Sequence, residues 1–249
     1  SDDQKFLQEE AKKFLEKENS VNRNRSVLEN EESLDVDLWN KIIALGWTGI
    51  RIPEEYGGLG LGHLELCVIA EELGRYLAPV PFSSSVYLFT EAIIKYGDDS
   101  VKEEVLPKLV TGEIVGTLAV AEDLKAPSAE NINLTSDKNV INGIKIAVPD
   151  AEIATHVIAV AKTESGVSLQ LVNLSSKGVS IEKQENIDES RGYFSISFKD
   201  VESKLIGDST TGWELYENII NQAAVLFSYE QVGGSQAALD MAINYAKER

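Results

Sequence analysis

The sequence predicts an α+β protein in several domains: an N-terminal α-helical domain over residues 1–112, a central antiparallel β-barrel or sandwich over 113–207, and a long helix over 208–249. Two observations carry this. The hydrophobic period changes from helical to alternating near residue 113 and back to helical near 207. Turn dipeptides punctuate the middle stretch at Asn142-Gly143, Ser165-Gly166, Lys177-Gly178 and Arg191-Gly192, which suits short strands with short connections. At 249 residues the chain is long enough to bury a sizeable core.

The first helix is read from Phe6, Leu7, Ala11, Phe14 and Leu15, which recur at helical spacing among charged neighbours. A second is expected to begin near Asp35, to carry Leu38, Ile42 and Leu45 inward and to stop at Gly46. Residues 63–73 hold Leu64, Leu66, Cys67, Val68, Ile69, Ala70 and Leu73, apolar around most of the circumference, as a helix buried between others would be. Ser100 and Glu103 have capping-box spacing, and Pro107 is expected to shorten or kink the helix they open. Strands are expected over 114–121, 157–161, 167–172 and 193–198, all rich in β-branched or aromatic residues. The last stretch carries an apolar stripe through Leu215, Ile219, Ile220, Ala223, Phe227, Leu239, Ile243 and Ala246. Gly233-Gly234 interrupts its helical propensity, and tight packing against another helix is the expected reason. A helix so long and so apolar needs partners, in a second copy or a paralogue.

Composition narrows the function. With 43% hydrophobic and 26% charged residues the chain is an ordinary globular one rather than a disordered one. Its formal charge of −18, from 41 acidic against 23 basic residues, argues against nucleic acid and anionic lipid as partners. Cys67 is the only cysteine, which excludes an internal disulfide and a cysteine-built metal site. His63 and His156 lie far apart and share no ligand spacing, so no metal is expected and both are read as surface or capping residues. Asn133-Leu134-Thr135 and Asn173-Leu174-Ser175 fit the glycosylation pattern, but no signal, transit or membrane-spanning segment accompanies them. A cytoplasmic, reducing setting is the expectation. No Gly-x-Gly-x-x-Gly follows any expected strand, so no parallel dinucleotide-binding sheet is expected either.

Several motifs in order point further. Leu45-Gly46-Trp47, then Ile52-Pro53-Glu54-Glu55-Tyr56-Gly57-Gly58-Leu59-Gly60, resembles the Pro-Glu-x-Tyr-Gly-Gly-x-Gly turn of the acyl-CoA dehydrogenase family. Glu71-Glu72-Leu73-Gly74, Leu106-Pro107-Lys108-Leu109 with Gly112, and Asn142-Gly143-Ile144-Lys145 are similar to its next landmarks. So are Phe198-Lys199-Asp200-Val201, Leu205-Ile206-Gly207 and, in the last helix, Gly233, Ala237, Leu239 and Tyr245-Ala246-Lys247-Glu248-Arg249. The glycine-rich turn itself needs no ligand, since its glycines suit a tight surface bend.

The resemblance covers the N-terminal two-thirds of a family member. It implies that the last helix opens a C-terminal helical bundle. It also implies a flavoenzyme that uses FAD to remove hydrogens from an acyl-CoA thioester and passes electrons to an electron-transfer flavoprotein. The flavin would face two segments. The first is usually Thr-Glu-Pro and here reads Ala121-Glu122-Asp123, leaving the Val120 and Ala121 backbone and Glu122 as cofactor-facing groups. The second usually carries Trp-Ile-Ser or Trp-Ile-Thr and here reads Ala147-Val148-Pro149. Arg249 matches the arginine that reaches a neighbouring subunit's flavin pyrophosphate, a contact type that guanidinium makes bidentately. Most members carry the catalytic glutamate beyond this sequence. A subset carries it where this chain has Ala223, with an arginine where it has Ala224, and Glu217 and Glu230 match neither and are read as helix-surface charges. No catalytic base is assigned. The alternatives are a non-catalytic subunit that pairs with an active paralogue, and a flavin-free binding or assembly protein on the same fold.

Overall fold

A computed structural model describes residues 1–29, 32, 34–188 and 190–249. The helical part opens with α1 (Asp2–Glu18), capped by a reciprocal bond pair between Ser1 and Gln4, followed by α2 (Val21–Glu29) and α3 (Val36–Ala44). Asp35 caps α3 by accepting from the Leu38 amide at 2.9 Å. Helix α2 was not expected, so the helix at Asp35 is the third. Leu38 and Ile42 point inward as expected, but Leu45 is exposed, because Gly46 turns the chain left-handed at φ 76° immediately after it.

Helix α4 (His63–Arg75) is the buried central helix, although Leu64 stays exposed. Beyond it a π-helical segment, Ser83–Thr90, is buried at every residue and leads into α5 (Glu91–Tyr96). Helix α6 (Asp99–Thr111) departs from the sequence reading twice. Its cap is Asp98, which accepts from the Val101 amide at 2.8 Å, not Ser100. It also runs through Pro107 without ending there. Glu103 and Pro107 both lie on its exposed face, where water can satisfy the carbonyl that proline leaves without a donor.

The strands are β1 (Gly116–Ala119), β2 (Thr135–Asp137), β3 (Val140–Pro149), β4 (His156–Lys162), β5 (Val167–Asn173), β6 (Val179–Gln184), β7 (Tyr193–Glu202) and β8 (Lys204–Ile206). They form one sheet in the order β6-β7-β3-β2-β4-β5-β8, with β1 attached to β4. Most neighbours are antiparallel, while β1 and β2 each meet β4 in parallel, so the sheet is mixed. Asn142-Gly143 is not a hairpin turn. It sits inside β3 at a register slip, and the turn is made by Lys138 and Asn139, both at positive φ. Strand β4 explains why the sheet is central: Val157, Ala159 and Ala161 pack into the sheet's own core, while Ile158 and Val160 face the helices.

Helix α7 (Gly212–Glu248) has 37 residues, about 55 Å at 1.5 Å per residue. Ile219, Ala223 and Leu226 are buried, whereas Leu239 and Ile243, read from the sequence as the same inward stripe, are exposed. Gly233 does mark tight packing. A methyl group there would overlap the Glu71 carbonyl of α4, and one at Gly74 would overlap the Glu230 carbonyl of α7. Among the described residues no helix is long and apolar enough to cross a membrane.

Candidate functional site

The two segments singled out from the sequence lie side by side. The Ile146 amide donates to the Ala121 carbonyl at 2.8 Å, so residues 120–122 run along the edge of β3. A buried ion pair fixes them there. Lys145 is wholly enclosed, and its ammonium donates to Glu122 Oε1 at 2.6 Å and to the Val120 carbonyl at 3.0 Å. Glu122 also accepts from the backbone amides of Leu134 at 2.9 Å and Asn133 at 2.7 Å. Burial pushes the Lys145 pKa down to about 8, against the pull of Glu122. Burial alone would raise the Glu122 carboxyl, but its bonds to Lys145 and the two amides outweigh this and hold it below its ordinary value.

After Lys145 the strand slips register, and Ala147 takes φ 51°, a left-handed conformation that a residue with a Cβ adopts under strain. Ala147 is exposed and its amide donates to Gln184 Oε1 at 2.8 Å. Val148 is buried, and the Pro149 carbonyl accepts from Thr117 Oγ1 at 2.7 Å. The carbonyls of Val120, Ala121 and Pro149 and the amide of Ala147 are thus engaged within the protein, and none of Val120, Ala121, Ala147, Val148 or Pro149 has a donor side chain. What the edge presents is a shallow shelf of small apolar side chains. It has no side-chain donor for the polar edge of a ring.

Arg249 is not part of this shelf. It ends α7 with its guanidinium 5.0 Å over the Tyr245 ring, at the opposite end of the helix from the residues that pack on β5. Ala223 is buried in the core and Ala224 is exposed, and neither offers a base. His63 is half-buried beside Arg51 and Glu91. His156 Nδ1 lies 3.0 Å from Thr155 Oγ1. Among the described residues no group of three or more His, Cys, Asp or Glu side chains could hold a metal.

Glu230 is the clearest correction to the sequence reading. It is no surface charge: its carboxylate accepts from the buried Tyr87 hydroxyl at 2.8 Å and lines a cavity of about 700 Å³. Asp150, one residue past the shelf, lines the same cavity and accepts from Ser84 Oγ at 2.5 Å. Burial raises the pKa of both carboxyls, opposed for Glu230 by the Tyr87 bond and then Arg191, and for Asp150 by Arg191 and then Ser84. The sequence held a signal for Glu230. Ile219, Ala223, Leu226, Glu230 and Gly233 follow one another at alternating steps of four and three, so the glutamate falls on the inward stripe.

This arrangement of helices, mixed sheet and long helix is the fold of the acyl-CoA dehydrogenases. Residues 1–113 match the family model for the acyl-CoA dehydrogenase N-terminal domain. The whole chain is 26% identical, over 264 residues, to isovaleryl-CoA dehydrogenase of Solanum tuberosum and spans 64% of that protein. It superposes in full on butyryl-CoA dehydrogenase from Megasphaera elsdenii with a TM-score of 0.91 at 23% identity, covering 70% of that chain. It superposes on the ChsE4-ChsE5 complex from Mycobacterium tuberculosis with a TM-score of 0.88 at 20% identity, covering 68% of the matched chain. The chain belongs to the acyl-CoA dehydrogenase family.

Proposed function

We propose that this chain is part of an FAD-dependent dehydrogenase that introduces a double bond between the α- and β-carbons of an acyl-CoA thioester. The observation that carries the reading is the Lys145–Glu122 pair. It brings Val120 and Ala121 alongside Ala147 and Pro149, the two segments that the family resemblance assigns to the flavin. Val120, Ala121, Ala147 and Pro149 would hold the ring by contact, and Arg249 would serve the flavin of a neighbouring subunit. A flavin held there would supply the acceptor for the hydride that leaves the β-carbon. The chain's own contribution is to fix the shelf rigidly through the buried Lys145–Glu122 pair. Electrons would pass on to an electron-transfer flavoprotein. The base that takes the α-proton would come from outside these residues, and a cytoplasmic setting is part of the same proposal.

A second reading has its own support. Alanine at 121 and 147, proline at 149 and alanines at 223 and 224 together remove the side chains a catalytic subunit would use, which favours a non-catalytic subunit paired with an active paralogue.

Dye-linked dehydrogenation of an acyl-CoA panel separates these readings. A positioned base contributes about 10²–10⁴-fold, so the 249 residues alone should show no turnover. The protein in its full natural length should turn over if it is catalytic, and only with an added paralogue if it is not. Turnover by the 249 residues alone would overturn both, and a full-length protein that neither binds flavin nor gains activity with a paralogue would overturn the family chemistry here.

A further inference from the structure

A cavity lies between α4, α7 and the β6–β7 connection, and Asp150, the residue after Pro149, is one of its lining residues. At about 700 Å³ it falls in the range that encloses a drug-sized molecule. Leu73, Val80 and Phe82 give it apolar walls, and Asp150, Glu230 and Arg191 give it a polar end. Each carboxyl accepts from a hydroxyl of the π-helical segment, Glu230 from Tyr87 and Asp150 from Ser84. The Arg191 guanidinium stands 3.9 Å from Asp150 Oδ1, near enough to attract and too far to bond. Its charge is felt at both carboxyls.

This gap selects a ligand group. An incoming carboxylate would meet two acids, and an ammonium would meet the arginine. A saturated chain would desolvate all three groups and return nothing. A hydroxyl accepts from the guanidinium and donates to a carboxyl, and so satisfies both sides at once. Resting on the acyl-CoA reading above, we propose that the cavity takes the far end of the substrate's acyl group, and that this end is bulky and carries a hydroxyl seated between Arg191, Asp150 and Glu230.

The test is calorimetric titration of the full-length protein with two matched pairs. One pair is a hydroxycyclohexyl-alkanoyl-CoA and its cyclohexyl counterpart. The other, free of CoA, is propylcyclohexanol and propylcyclohexane. The hydroxylated member of each pair should bind about tenfold tighter or better, as a hydrogen bond to a charged group predicts. Arg191→Met, at a half-exposed position, and Glu230→Gln, which keeps side-chain volume, should each reduce that preference to less than about threefold with the melting temperature held. Equal binding within both pairs, a preference for the deoxy members, or no binding by either pair would overturn the proposal. A preference within the alcohol pair with no binding of either acyl-CoA would sink the acyl-CoA reading and leave the hydroxyl site standing.

Discussion

Lys145 shows how one enclosed charge organises an edge of the sheet. Its ammonium reaches only oxygen atoms, Glu122 Oε1 and the Val120 carbonyl, and both belong to the segment it tethers. Glu122→Gln would leave that ammonium buried without its counter-charge, a change that costs about 3–5 kcal/mol where buried pairs are broken. The pH dependence follows from the lowered pKa of about 8. Between that value and the ordinary 10.5 the unfolded chain holds a proton that the folded one has released, so the wild type gains stability from this group as pH rises through that window. Without Glu122 the buried amine loses its proton at a lower pH still, so the loss caused by Glu122→Gln should be largest at and below neutral pH, shrink as pH rises from there to about 8, and level off above it, where both folded proteins hold a neutral Lys145. Urea unfolding midpoints across this range check it, and a pH-independent difference would contradict it.

At the scale of elements, the α4–α7 crossing is set by glycines, and the two neighbours in α7 have opposite roles. A methyl at Gly233 would overlap Glu71's carbonyl and come within 2.9 Å of the Arg75 amide nitrogen. At Gly234 the nearest atom would be the Gly74 carbonyl oxygen at 3.5 Å, an ordinary contact. Gly233→Ala should destabilise by about 2 kcal/mol or more, as overpacking against backbone does. Gly234→Ala should be neutral or stabilise by up to about 1 kcal/mol, the usual helical gain over glycine. Denaturant unfolding of the two variants measures the contrast, and equal effects would refute it. That crossing was legible in the sequence, because two glycines in a strongly periodic helix demand a reason. The change of period that brackets the strands was legible for the same cause: burial of one face imposes it. Other features were not. Asn142-Gly143 carries a turn dipeptide, yet it serves a bulge whose Asn142 Oδ1 accepts from the Asp200 amide at 2.8 Å, a partner 58 positions away. Glu230 was misread as a surface charge although its place on the inward stripe marked it; what no spacing could show is its partner, Tyr87, 143 positions away. The two shelf segments were picked out by motif order, while Ser84, Asp150 and Arg191 come from the π-helical segment, the β3–β4 connection and the β6–β7 connection, and no spacing links them.

For the molecule as a whole, the second half of α7 decides its behaviour in solution. Val232, Leu239, Met241, Ile243 and Tyr245 are all exposed there, a run of apolar side chains along one helix. Self-association or pairing with a paralogue through this half is the expected outcome. Sedimentation at micromolar concentration should show a species heavier than the 27.3 kDa monomer, and Leu239→Lys with Ile243→Lys should shift it back toward one chain. A clean monomer from the unsubstituted chain would refute this.

One continuous helix is gripped as far as Gly233, held once more where Asp240 accepts from Arg75 at 2.6 Å, and bare beyond it, and that asymmetry has a kinetic face. Amide protons from about Trp213 to Gly233 can exchange with solvent deuterium only when α4 and the sheet let go, whereas those beyond Asp240 need only local fraying. The helix should therefore split into a slow half and a fast half, although its backbone geometry does not change between them. Any partner that settles on the second half will slow its exchange toward that of the first. The deuterium clock of residues 241–248 then reports assembly directly, with no label added and no activity required.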